Sequence, residues 1–376
     1  MELQEKLKDY WKKLIKIEID VKAFVNNISI IRKFIGKNTK IILAAKSYTY
    51  SLGKEMVAYS KDFIDGIAVE SLHSAIEHAS NGFDKSIYIL SPFIPQGFDL
   101  LPELNKYKNI VICLDSLTVA ENLIKQCKEK KYTVRAAIKI NWGLNRFGIM
   151  PNQLKEMMNL LEGSPVIVDS IYTHLSGTTD SDIESLKTKE KLFLELVKDY
   201  RGRGINFHIA DSACTVRKIG IDMDIVRIGL LPIGIDPVEV EHETIEGLKL
   251  CFKLISTVLH ITEVKKGQEL GYRYFAPENM RVATILGGYA HGLPRDASAA
   301  NGFALLGGIK CPYACKSFME YSIIDISSCN FPVSPGDKVE IYGNECHPYN
   351  LAITAGNIPE IFFTSLSRLI YREYIK

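Results

Sequence analysis

The chain predicts a (β/α)8 barrel of the TIM type followed by a mostly β domain. Three observations carry that expectation. From residue 40 to about 230, short apolar runs alternate with longer amphipathic stretches, and the runs number eight. Each run is continuously apolar, as in strands covered on both faces of a parallel sheet. Beyond about residue 240 helical periodicity stops, and β-branched segments broken by Gly, Pro and Asn take over.

In chain order the barrel strands read IILAAK (41–46), GIAVE (66–70), SIYILS (86–91), NIVICLD (109–115), RAAIKIN (135–141), DSIYTHL (169–175), NFHIAD (206–211) and DIVRIGL (224–230). Stretches such as SLHSAIEHASNG and SLTVAENLIKQCKEKKY lie between them, with apolar residues recurring at three and four and Ser or Gly at their ends, as helices require. Parallel strands joined by crossover helices close into a barrel. An open doubly wound sheet would carry a glycine-rich phosphate loop after the first strand, and none is present. The segment LIKIEID (14–20) reads as a further strand that pairs with the distant second domain. The expected division is a helical extension over 1–14, the barrel over 15–240, and a β domain over 241–376 that follows the acidic linker DPVEVEHETIEG. Its strands are signalled by KLCFKLISTVLHITEV, MRVATILGG, YSIIDIS and KVEIYG.

Hydrophobic residues at 47%, charged residues at 24% and a net charge of +2 are those of a soluble globular protein and point away from a nucleic-acid partner. Eight cysteines are scattered without a CxxC and without a signal peptide ahead of them, which places the chain in a reducing cytoplasm. Cys311 and Cys315 are the closest pair along the chain, but no histidine stands at zinc-site spacing around them, so no metal is expected. In MELQEKLKDYWKKLIK, residues Leu3, Leu7, Tyr10, Trp11 and Leu14 recur at helical spacing among lysines. A helix packed on its own protein is favoured there over one lying on a membrane. The triplet Asn27-Ile28-Ser29 fits a glycosylation acceptor but lacks secretory context.

In a barrel the chemistry gathers where the strands end. The strand-end residues are Lys46, Glu70, Ser91, Asp115, Lys139, His174, Asp211 and Arg227. A lysine that is buried or flanked by cations loses proton affinity and becomes a nucleophile able to form a Schiff base; otherwise it snorkels or pairs with an acid. The run VRIGLLPIG (226–234) follows the eighth strand with Gly229 and Gly234. Loops after the seventh and eighth strands of barrels often hold a phosphate on backbone N–H groups. Ser212 offers a hydroxyl and Tyr50 a phenol beside it. A Schiff-base lysine facing a phosphate cradle points to pyridoxal phosphate.

From about residue 15 onward the chain resembles the alanine racemases, the fold type III pyridoxal phosphate enzymes. KSYTYSLG is similar to their first-strand motif, IKINWGLNRFGI to the fifth, YTHLSG to the sixth, FHIADSA to the seventh and VRIGL to the phosphate loop. LGYRY, GGYAHGLPR and SFMEYSIIDIS follow in the family's order in the second domain. The resemblance implies that Lys46 holds the cofactor and acts as one catalytic base, with Tyr272 as the opposite base from the partner subunit of a homodimer. Arg227 would meet the pyridine nitrogen and His174 pack beside the ring. Tyr50, Ser212, Gly229 and Leu230 would hold the phosphate. Arg146 and Met319 of the other subunit would take the substrate carboxylate, and Lys139 matches a lysine carbamylated in many relatives. Tyr289 and Arg295 are similar to residues of the access corridor. Asp211 would orient backbone groups around Ser212 without taking part in the chemistry.

The family pattern also has departures here. Ser47, Tyr48 and Thr49 stand where alanine, aspartate and alanine are common, His291 where aspartate is usual, and Phe318 and Glu320 where cysteine or serine and aspartate are common. Pro359 stands where relatives present a tyrosine, and Trp142 enlarges a position close to Arg146. These changes gather on the substrate side, so a range extending to serine or a basic amino acid is the competing expectation to alanine. The related barrel decarboxylases carry a His-Val-Gly-Ser stretch and a glycine triplet that are absent here. A cofactor carrier would have no use for Tyr272 and Met319. The expectation is therefore a cytoplasmic, homodimeric racemase that supplies D-alanine for peptidoglycan.

Overall fold

The computed structural model describes residues 2–293, 295, 302–354 and 356–376. The chain divides into two compact units. One holds residues 25–49 and 54–248; the other holds the described residues of 1–24, 50–53 and 249–376. Its strands are β1 (Lys16–Asp20), β2 (Lys40–Ala44), β3 (Gly66–Val69), β4 (Ser86–Pro92), β5 (Ile110–Leu114), β6 (Val134–Lys139), β7 (Val166–Tyr172), β8 (Asn206–His208) and β9 (Ile225–Ile228), followed by β10 (Phe252–Val264), β11 (Met280–Leu286), β12 (Phe303–Leu306), β13 (Ile309–Pro312), β14 (Tyr321–Asp325), β15 (Lys338–Tyr342) and β16 (Tyr371–Ile375).

In the first unit β2 to β9 form one parallel sheet in the order β8-β7-β6-β5-β4-β3-β2-β9. Backbone bonds from Asp224 to Phe207 (3.2 Å) and from Arg227 to Ala210 (3.0 Å) tie β9 back to the β8 segment, which brings the two edges of the sheet together. The eight expected runs are thus the eight barrel strands. β3 and β5 are buried at every residue, as strands sandwiched between interior and helices must be. The interior is filled by Ile42, Ala68, Tyr88, Val111, Cys113, Ala137, Tyr172 and Ile225. Helix starts follow the Ser and Asp signals: Ser71 accepts from the Ser74 N–H at 3.2 Å, Ser116 from Val119 at 3.4 Å, and Asp182 from Glu184 and Ser185. Gly66 is needed where β3 starts, because a Cβ there would stand 2.5 Å from the Ser86 carbonyl oxygen.

The second unit is built on β10. This strand pairs antiparallel with β1, β11 and β15, and a register shift between Val258 and His260 lets it serve more than one partner along its length. β1 sits between β10, antiparallel, and β16, parallel. Ile17 and Ile19 of β1 are fully buried there. The helix Glu2–Leu14 packs through the Trp11 indole, which donates to the Leu369 carbonyl at 3.2 Å and stacks on His291, and through Lys8 and Lys12, which lie over the Tyr371 ring. Leu3, Leu7 and Tyr10 remain exposed, so the apolar stripe expected to dock on the protein does so only in part. No helix of the described residues is long and apolar enough to cross a membrane. Cys311 finds its sulfur neighbour in Cys329, at 3.6 Å, rather than in Cys315 four residues on.

Truncating a fully buried isoleucine leaves a cavity and costs about 2–5 kcal/mol. Ile17→Ala is expected to lower the thermal unfolding midpoint of the second unit's sheet, while an exposed control such as Lys22→Ala leaves it unchanged; differential scanning calorimetry measures both.

Candidate active site

Lys46 stands exposed just beyond β2. From the next residue the backbone changes hand: Ser47, Tyr48, Thr49, Tyr50 and Ser51 take φ of 52°, 58°, 50°, 52° and 65°. A left-handed conformation costs a non-glycine residue about 1–2 kcal/mol. A run of this kind persists only where its surroundings over-determine it. The end of the run belongs to the second unit, and there it is pinned. Arg372 donates from Nε to the Ser51 carbonyl at 2.9 Å, the Ser51 hydroxyl donates to the Thr364 carbonyl at 3.3 Å, and the Tyr374 hydroxyl donates to the Leu52 carbonyl at 3.0 Å. The Tyr50 ring is buried 6.1 Å from that of Phe363.

Inside the barrel unit, Arg227 on β9 is buried without a carboxylate partner among the described residues. Its Nη2 donates to the carbonyls of Thr173 (2.9 Å) and Ile209 (3.3 Å), and its Nη1 donates to His208 Nδ1. His208 must therefore be neutral at Nδ1, with its proton on Nε2 facing Ser170 Oγ at 3.3 Å. Burial, then the charges of Arg227 and Lys139, hold this imidazole well below its ordinary value. The ring is stacked on Tyr172 at 4.9 Å, and Tyr172 in turn lies under both Lys139 Nζ (5.0 Å) and the Arg227 guanidinium (5.4 Å). The Tyr172 hydroxyl donates to Cys113 Sγ at 3.3 Å. Strands β5, β6, β7, β8 and β9 each place one member of this cluster.

His174, two residues past β7, has Nδ1 at 3.6 Å from Asp211 Oδ2. Burial, against the pull of Asp211 and with the push of Arg227, Lys139 and Arg146, brings its pKa down to about 4. Asp211 caps the short helix Ser212–Val216, its Oδ1 accepting from the Cys214 N–H at 2.8 Å. That cap leaves the Ser212 hydroxyl turned to β9, where its oxygen accepts from the N–H groups of Gly229 (3.0 Å) and Leu230 (3.2 Å). Two backbone donors converging on one oxygen suit an anion.

Lys139 ends β6 in a buried position, and burial together with Arg227 and Arg146 pushes its pKa down to about 7. Arg146 is exposed on the loop that follows. The loop is clasped at its base: the Asn141 amide oxygen accepts from the Asn145 N–H and its amide nitrogen donates to Asn145 Oδ1, both at 3.1 Å. Gly148 closes it at φ 125°, where a Cβ would come within 2.6 Å of the Asn141 nitrogen. Trp142 packs edge-on against Phe193 of the helix Ile183–Val197, at 5.9 Å.

In the second unit Tyr272 tips a tight hairpin closed by the bond from Leu270 N–H to the Tyr274 carbonyl (2.8 Å), and it is 79% exposed. Its ring lies 5.4 Å from that of Phe318. Residues 287–290 pair with 318–320 through backbone bonds from Gly287, Tyr289 and Ala290 to Glu320, Phe318 and Met319. Gly288 permits that approach, since a Cβ there would meet the Phe318 carbonyl at 2.3 Å. Met319 and Tyr289 are consequently neighbours, and both are exposed. Pro359 is buried at the first position of the helix Pro359–Thr364.

Two family sequence models match the chain: "Alanine racemase, N-terminal domain" over residues 19–237 and "Alanine racemase, C-terminal domain" over 251–374. The chain belongs to the alanine racemase family. Alanine racemase 1 of Caldanaerobacter subterraneus subsp. tengcongensis is 26% identical over 372 residues, covering 96% of this chain and 94% of that protein. The alanine racemase of Methylacidiphilum infernorum is 28% identical over 340 residues, covering 88% and 83%. Among solved structures, the Bartonella henselae alanine racemase with covalently bound pyridoxal phosphate superposes with a TM-score of 0.86 at 23% identity, covering 96% and 99%. The biosynthetic alanine racemase of Pseudomonas aeruginosa gives 0.87 at 21%, with the same coverage. At those identities the structures establish the shared fold. The family is pyridoxal-phosphate dependent, and the match to its second domain sets the chain apart from a one-domain cofactor carrier.

Of the residues singled out by sequence, the barrel unit brings Lys139, His174, Ser212, Arg227, Gly229 and Leu230 together, with Arg146 within electrostatic reach of Lys139 and His174. Tyr50, Tyr272 and Met319 lie on the second unit. Sequence reasoning gave no role to His208, Tyr172 or Cys113. The signal for His208 was its place three residues before the end of the seventh run, as Arg227 stands in the eighth.

With His174 and His208 both held below the ordinary imidazole value near 6.5, the unfolded chain binds more protons than the folded one just below that pH. Stability is therefore lost as pH falls from about 6.5. His208→Gln, whose amide oxygen can still accept from Arg227, should show a smaller drop in thermal midpoint between about pH 6.5 and 5 than the parent.

Proposed function

We propose that the chain is a pyridoxal-phosphate-dependent alanine racemase that interconverts L- and D-alanine. Membership of the family across both domains carries this reading, and the barrel residues fit the cofactor. The paired N–H groups of Gly229 and Leu230 with the Ser212 hydroxyl suit a phosphate. Arg227, buried and kept cationic by a neutral His208, suits a ring nitrogen that accepts a hydrogen bond. Lys46 would supply the amine that holds the cofactor, and His174 would flank its ring.

The cofactor, when bound, withdraws the electron pair left at the substrate α-carbon. Everything else falls to the chain. Inverting that carbon needs one group to take a proton from one face and another to give one on the opposite face. Lys46 Nζ and the Tyr272 phenol of the partner subunit are that pair. A tyrosine base has an ordinary pKa near 10 and needs cations close by to ionise, and Arg146 provides one. Arg146 also takes the substrate carboxylate, with Met319 of the partner subunit beside it. The reading includes a homodimer, and the exposure of Tyr272, Met319 and Tyr289 supports it, since a second copy would cover these side chains. The working setting is the cytoplasm, where D-alanine feeds peptidoglycan synthesis. Racemisation of L-alanine followed by chiral chromatography tests the reading. Borohydride treatment of the holoenzyme should leave a pyridoxyl mass on the Lys46 peptide. Lys46→Ala and Tyr272→Phe should each lower kcat by about a hundredfold or more; full activity in Tyr272→Phe would remove the second base.

Lys139 has no carboxylate facing it among the described residues, and its depressed pKa leaves much of it as free amine near neutrality. It is the residue for carbamylation, in which the neutral amine nitrogen adds to carbon dioxide and releases one proton, placing an anion near Arg146. Labelled bicarbonate should give a carbamate carbon signal in ¹³C NMR that strengthens as pH rises through about 7. Lys139→Gln should lack it.

A further inference from the structure

The backbone that carries Tyr272 is held firmly and its side chain is not. Leu270 and Tyr274 close the hairpin, Arg273 N–H donates to Glu269 Oε1 at 3.1 Å, and Gly271 at φ 79° lets the turn lie against Cys315 and Phe318, where a Cβ would stand 2.9 Å from the Cys315 sulfur. Beyond Cβ the phenol has one aromatic neighbour, Phe318, at 5.4 Å and 51° between ring planes. Its hydroxyl makes no hydrogen bond to any described residue. Phe318 is itself immobilised on both sides, its N–H donating to the Tyr321 carbonyl (2.8 Å) and its carbonyl accepting from Tyr289 (3.0 Å). The tilted geometry is the one aromatic pairs prefer.

We infer that Phe318 is a positioning residue for Tyr272: a half-buried ring that selects the rotamer in which the phenol meets the substrate. The inference rests on Tyr272 being the second base. A proton carrier free to rotate spends most of its time out of reach, and a misplacement near 1 Å costs large factors in rate. Phe318 restricts that rotation before the partner subunit arrives, so the ordering cost is met within one chain.

The test uses the holoenzyme with α-deuterated and α-protonated alanine in each direction. Phe318→Leu keeps the volume but not the ring, and Phe318→Tyr keeps the ring. Cofactor absorbance and thermal midpoint report that each variant is folded and loaded. The expected result for Phe318→Leu is a fall in kcat of about three- to tenfold with little change in KM. The α-deuterium isotope effect should rise for the enantiomer that Tyr272 deprotonates and hold or fall for the other, and Phe318→Tyr should restore the parental effects. Equal falls in both directions with unchanged isotope effects, or no change at all, would overturn the positioning role while a dead Tyr272→Phe still upheld the base. An active Tyr272→Phe would overturn both.

Discussion

The barrel unit depends on one arrangement, a guanidinium sealed inside a parallel sheet with no carboxylate hydrogen-bonded to it among the described residues. Placing Arg227 there is expensive unless every donor finds an acceptor. Two backbone carbonyls and the lone pair of a neutral imidazole, His208, take up three of its N–H groups. A carboxylate in that place would have cancelled the charge. His208 instead satisfies the hydrogen bond and leaves the charge standing. The same uncancelled charge reaches Lys139 and His174 and pushes both toward their neutral forms. Tyr172 makes the crowding tolerable by presenting its ring to both cations and its hydroxyl to Cys113.

Much of the fold was legible because parallel strands, buried on both faces, leave unbroken apolar runs such as IVICL and GIAV, and because Ser71, Ser116 and Asp182 are helix caps by chemistry as well as by sequence. The residues at the strand ends could be named for the same reason. The cluster beneath them could not. Cys113, Tyr172, His208 and Arg227 are far apart in the chain and become neighbours only through the cyclic order of β5, β7, β8 and β9. Tyr172 reads in sequence as one more apolar strand residue. Equally silent was the left-handed run from Ser47 to Ser51, which contains no glycine or asparagine. Its last residue, Ser51, is held by Arg372 and the next, Leu52, by Tyr374, both more than three hundred residues away along the chain.

The departures from the family pattern separate into two kinds once placed. Trp142 turns to Phe193 on a neighbouring helix, so its bulk is absorbed by packing. His291 and Glu320 face each other at 3.6 Å, with the Trp11 indole stacked on the imidazole, so two substitutions and the N-terminal helix form one local assembly. Phe318 is different. It bears directly on the side chain given a chemical role, which makes it the substitution with the most to say about rate.

β1 is an interior strand of the second sheet, yet it is made before either of its neighbours. Its neighbours β10 and β16 are not made until residue 252 and residue 371 onward. During synthesis this strand, whose Ile17 and Ile19 end up fully buried, waits without a ladder to join. The five lysines between residues 6 and 16 give that waiting stretch charge, which discourages it from pairing with its own kind on a neighbouring nascent chain.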